Sequence, residues 1–73
     1  MSNFGKNLND LLRIKHISQT KLGDVLGVKQ NTVSQWATGK REPDYDTLLK
    51  ICVILDTEPS EILGFQRVKN DLK

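Results

Sequence analysis

Around the two apolar residues Val33 and Trp36 the sequence sets Lys29, Gln30, Asn31, Thr32, Ser34 and Gln35, a run of polar side chains with no carboxylate. If this stretch is helical, it presents amides and hydroxyls on one outward face. Such a face can form hydrogen bonds but cannot break covalent bonds. Amide side chains can bond the N6 and N7 edge of an adenine bidentately, and Ser or Thr can bond several base edges. A helix face that is merely solvated more often carries Glu and Lys pairs, so the residue types favour readout of a duplex over simple exposure. Lys40 and Arg41 follow directly, and cations flanking such a helix neutralise phosphates.

No other constellation supports bond-making chemistry. One His and one Cys exclude a disulfide framework and any Cys/His zinc site built by one chain. His16 has no residue near it in sequence that would make it a ligand or a base. Cys52 falls at an apolar helix position and reads as a buried thiol rather than a redox sensor. Trp36 reads as core rather than as a platform for stacking bases. Glu42, Asp44 and Asp46 are explained by helix capping and solvation before any metal. With no nucleophile–base pair and no convergent carboxylates, an enzyme is not expected, and neither is a cofactor.

The elements that must position the polar face follow from periodicity and stop signals. Phe4, Leu8, Leu11 and Leu12 share one face of a first helix, which His16 ends. His tolerates the left-handed cap conformation better than most residues. Ser18 caps a second helix, Gln19 to Leu26, and Gly27 closes it. A third helix runs from Lys29 or Gln30 to Thr38, and Gly39 closes it. Lys29 cannot cap its helix as Ser or Thr would. Pro43 breaks the chain and Asp44 caps a fourth helix through Leu55, with Leu48, Ile51, Cys52 and Leu55 on one face. Leu49 and Val53 lie on a flank of that helix, as a partner surface or as the edge of the core. Pro59 opens a brief fifth helix that Gly64 ends, and Phe65 is expected to fold back onto the core. Gln66 to Lys73 is a polar tail, or a helix that forms only against a partner. No segment alternates with period two between turn signals, so the expected fold is all-α, a compact bundle of four to five short helices.

Length and charge agree with this. The chain has 73 residues, 37% of them hydrophobic, which suits one domain. The longest apolar run, Ile51 to Leu55, is far short of the roughly 20 residues needed to span a bilayer. The sequence has no signal-peptide pattern, so a cytoplasmic protein without membrane or metal partners is expected. Net charge is +2, divided as +5 over residues 1–41 and −3 over residues 42–73. A basic half joined to an acidic half suits a surface for polyanions.

Leu22 and Leu26 facing Val33 and Trp36, Val28 in the corner, Gly23 at a close approach and Gly27 in the turn agree with a helix-turn-helix at residues 19–38. With Ile17-Ser18-Gln19, the runs Leu22–Val28 and Thr32–Trp36, Gly39–Pro43 and Ile62–Phe65, the chain resembles the Cro and lambda-repressor type of helix-turn-helix regulators, the Xre family. The resemblance covers about residues 4–65. It implies a sequence-specific DNA-binding transcriptional regulator, most simply a repressor that binds a palindromic double-stranded operator as a homodimer. It implies base-reading roles for Gln30, Asn31, Ser34 and Gln35, with Gln19 buttressing Gln30. It implies phosphate contacts from Ser18, Gln19, Lys29, Thr32, Thr38, Lys40 and Arg41. An antitoxin or controller protein of the same fold, or a protein-interaction module that binds no DNA, are the alternatives. An acidic recognition helix would have favoured the last of these. The chain departs from the family at three places: Leu12 and Ala37 stand where many members pair an Arg with a Glu, His16 stands where Gly is common, and Lys29 stands where Ser or Thr often caps.

Overall fold

A computed structural model of the chain describes residues 3–64. They form five helices, α1 (Phe4–Lys15), α2 (Gln19–Leu26), α3 (Gln30–Ala37), α4 (Tyr45–Ile54) and α5 (Pro59–Leu63), with no strand among the described residues. The expectations for Phe65 and for residues 66–73 lie outside the described residues.

Most helix boundaries have a local cause. His16 closes α1 with φ 58°, and Arg13 and Lys15 place positive charge in its last turn, where the helix dipole favours it. Ser18 Oγ accepts the Lys21 N–H at 3.0 Å and so satisfies one of the orphan donors of α2. Gly27 ends α2 at φ 78°, a conformation costly for any residue with a Cβ. Lys29 opens α3 with extended backbone and no side-chain cap bond. The Asp44 carboxylate accepts the Thr47 N–H at 2.8 Å and starts α4. The Thr47 hydrogen bonds, with a smaller contribution from the Lys50 charge, hold the Asp44 carboxyl below its ordinary pKa. Pro59 takes the first turn of α5, where its missing N–H has no helical partner to lose.

One core draws on all five helices. Phe4, Leu8 and Leu12 of α1 meet Leu22 of α2, Val33 and Trp36 of α3, Leu48 and Ile51 of α4 and Ile62 of α5, all buried. Each such side chain is worth about 1.5–3 kcal/mol on burial. Cys52 is buried in the same cluster, and its surroundings push the thiol pKa up. No polar or charged residue is buried among the described residues.

Three contacts lock α1 across the bundle. A Cβ on Gly5 would lie 2.6 Å from the Ala37 carbonyl oxygen and 2.9 Å from that of Trp36, so only glycine lets α1 approach the end of α3 this closely. Asn9 Nδ2 donates to the same Ala37 carbonyl at 3.3 Å, satisfying one of the acceptors left open at the helix end. Asn7 Nδ2 donates to the Ile62 carbonyl at 2.8 Å and ties α1 to α5. Among the described residues no helix is long and apolar enough to cross a membrane.

Candidate nucleic-acid interface

The turn between α2 and α3 is built from backbone. The Val28 N–H donates to the Gly23 carbonyl at 2.9 Å and the Gly27 N–H to the Asp24 carbonyl at 3.3 Å. Gly23 does sit at a close approach, but its near neighbour is the turn itself: a Cβ there would be 2.8 Å from the Val28 carbonyl oxygen. Leu22 is fully buried, and Leu26 and Val28 pack at the margin of the core. The two helices are therefore held at a set angle by one turn and one apolar seam.

That seam decides which way α3 faces. Val33, Trp36 and Ala37 are buried, which leaves Gln30 and Asn31 exposed and Thr32, Ser34 and Gln35 half-buried along the outer side. Trp36 is only 5% exposed, so its ring cannot stack on bases. At the start of α3, Gln30 Nε2 donates to Gln19 Oε1 at 2.9 Å. This bond joins the first residues of α2 and α3 and fixes one amide against the other. The Gln30 oxygen and its second N–H are left to bond elsewhere.

The cationic and hydroxyl groups expected around this face are distributed as follows. Lys29, Lys40 and Arg41 are exposed. The loop that carries Lys40 and Arg41 is folded back on α3, because both backbone N–H groups donate to the Gln35 carbonyl, at 2.9 and 3.2 Å. Ser18 is exposed and its oxygen is already accepting the Lys21 N–H, which leaves its proton free to donate. The Thr38 hydroxyl donates to the Gln35 carbonyl at 3.3 Å, so an outside acceptor must displace that bond. Gln19 is half-buried beside Gln30.

The structure thus brings the expected base-reading positions onto one surface, with the expected phosphate positions along α3 and at the ends of α2 and α3. The N-termini of α2 and α3 add partial positive charge there. Sequence reasoning missed Gly5 and Asn9, which set where the C-terminal end of α3 rests. A glycine one residue into a helix was the available signal for the first. Nothing local marked the second. Among the described residues no group of three or more His, Cys, Asp and Glu side chains is placed to hold a metal ion.

The Helix-turn-helix family model matches residues 10–62. The chain is 35% identical over 60 residues to the Bacillus subtilis (strain 168) protein named uncharacterized HTH-type transcriptional regulator YqaE, covering 82% of this chain and 52% of that one. It is 32% identical over 69 residues to the SPbeta prophage-derived uncharacterized HTH-type transcriptional regulator YonR of the same organism, covering 94% of this chain and 64% of that one. The chain therefore spans between about half and under two thirds of the length of these relatives. No solved structure matches it.

Proposed function

Because the chain belongs to the helix-turn-helix family of Cro and lambda-repressor type, we propose that it is a cytoplasmic transcriptional regulator that binds double-stranded DNA in a sequence-specific way. It acts as a repressor on a palindromic operator, as a homodimer. In this reading α3 enters the major groove. Gln30, Asn31, Ser34 and Gln35 meet base edges, while Ser18, Gln19, Lys29, Thr32, Thr38, Lys40 and Arg41 hold phosphates.

The observation that carries the reading is the Gln19–Gln30 hydrogen bond at the exposed start of α3. An amide already held on one side loses less freedom when it bonds a base, and its orientation decides which base edge it can match. The homodimer follows from size: one eight-residue reading helix buries too little surface for tight specific binding, and linking two half-sites multiplies the gain.

The test is selection from random-sequence duplexes followed by titration. A two-fold-symmetric sequence should be enriched, and Gln30→Ala should cost about 1–3 kcal/mol on it with little change on scrambled DNA. If Gln30→Ala weakens both duplexes equally, α3 is not the reading helix.

A further inference from the structure

The last four carbonyls of α3 find no partner inside the helix, and each is satisfied from outside it. The Ser34 carbonyl accepts the Thr38 N–H at 3.0 Å, and the Trp36 carbonyl accepts the Gly39 N–H at 3.2 Å. The Gln35 carbonyl accepts the N–H groups of Lys40 and Arg41 and the Thr38 hydroxyl. Among the described residues only the Ala37 carbonyl gets nothing from its own turn. Its donor comes from α1, where Asn9 Nδ2 lies 3.3 Å away, and the missing side chain of Gly5 leaves room for it. A polar bond therefore holds α3 at each end, because Gln19 of α2 already accepts from Gln30 at the start, at 2.9 Å.

We infer that Asn9 is a positioning residue for base readout: its amide fixes the tilt of α3, and with it the place of Gln35 and of the Lys40–Arg41 loop. The inference rests on the proposed reading of DNA by α3 and names a residue, remote from the reading face, that tunes it. Val33 and Trp36 press α3 onto the core, but apolar contact has no direction and sets a tilt less sharply than a hydrogen bond. Gln35 lies five residues from Gln30, about 7.5 Å along the helix axis. A tilt about the Gln19–Gln30 bond therefore moves Gln35 and leaves Gln30 nearly in place. A base-edge bond works only at roughly 2.7–3.2 Å, so a small shift is enough to lose it. Lys40 and Arg41 move with the Gln35 carbonyl, yet their attraction to phosphate falls off slowly with distance. Loss of Asn9 thus acts on specificity more than on binding of DNA as such. Asn9 is exposed, so water can replace it on the carbonyl, and direction is lost more than stability.

Asn7 supplies a matched control, since its Nδ2 makes the same kind of bond from the same helix, but to the Ile62 carbonyl of α5. The test is selection of the full chain on random-sequence duplexes, well below its melting temperature, for the parent, Asn9→Ala, Asn7→Ala, Gln30→Ala and Gln35→Ala. The two glutamine variants mark the base positions that belong to the start and to the end of α3. Asn9→Ala should flatten the preference at the Gln35 positions by about fivefold or more, the low end of one bidentate contact. It should leave the Gln30 positions as they are, and Asn7→Ala should leave the whole profile unchanged. In the free protein the Lys40 and Arg41 amides should exchange faster in Asn9→Ala than in Asn7→Ala. Equal flattening at both ends, or an Asn7→Ala profile as flat as that of Asn9→Ala, overturns the inference, because the effect would then be general loss of stability. Unchanged exchange of the Lys40 and Arg41 amides in Asn9→Ala overturns it too. A sharp parent profile that Asn9→Ala does not alter overturns this inference alone, whereas a parent that prefers no sequence overturns the DNA reading and this inference with it.

Discussion

Leu12 and Ala37 are both buried in the core, at 5% and 8% exposure, at the two places where the family resemblance implies an Arg–Glu pair. Replacing a buried ion pair by apolar side chains can be neutral or stabilising, whereas restoring one charge alone leaves it without a partner. Leu12→Arg should therefore cost about 3 kcal/mol or more in urea denaturation, and adding Ala37→Glu should recover much of it. A Leu12→Arg variant that denatures like the parent would show that the two positions do not share a buried contact. His16 illustrates the same point about single residues. Its positive φ is tolerable for an exposed His at a helix end, so the position common to Gly in the family does not need Gly here.

Glycines separate two kinds of constraint at the level of helices and turns. In helix interiors Ala is favoured over Gly by about 1 kcal/mol, so Gly5→Ala would stabilise α1 if only propensity mattered. The Ala37 carbonyl 2.6 Å from the new Cβ is backbone and cannot swing away. α1 must then move off α3, and Gly5→Ala should destabilise by about 1–3 kcal/mol. Gly27 is the opposite case: nothing lies within 4 Å of its would-be Cβ, and only its φ of 78° opposes a side chain. Gly27→Ala should cost about 1–2 kcal/mol through backbone strain alone. Amide hydrogen exchange distinguishes the two. Gly5→Ala should loosen the α1–α3 contact, including the amides of the loop after α3, while Gly27→Ala should act at the α2–α3 turn. A Gly5→Ala variant more stable than the parent would mean that the α1–α3 approach is not tight.

For the whole molecule the decisive quantity is charge. The basic excess of residues 1–41 includes Lys29, Lys40 and Arg41, all exposed around the α3 face. A cation at a phosphate acts on every sequence alike, because it answers to charge and not to a base edge. Arg41→Ala should accordingly weaken selected and scrambled duplexes by similar factors. It should also flatten the slope of log K against log salt by about one, as one fewer counterion is released. An unchanged slope would remove Arg41 from the phosphate contacts.

The sequence by itself determined the elements and their ends. Apolar spacing, Ser18 and Asp44 as caps, and Gly27, Gly39 and Gly64 as stops act within a few residues, and such local physics needs no distant partner. The polar character of α3 was likewise legible, because the buried positions Val33, Trp36 and Ala37 leave only one outward face. Tertiary structure alone decided what depends on residues far apart in the chain. The contacts of Gly5 and Asn9 with Ala37 span about thirty residues and leave no periodic trace. The positive φ of 52° at Asp56, by contrast, is local: it belongs to the end of α4, where the Asp56 N–H donates to the Val53 carbonyl and the Thr57 N–H to the Cys52 carbonyl. The exposure of Val25 could not be read from α2, where it looks like one more core residue. Only the packing of α4 beside α2 shows that it belongs to a groove open to solvent. An apolar residue records in its chemistry that it favours burial, but which surface covers it is set by the neighbours that the fold brings.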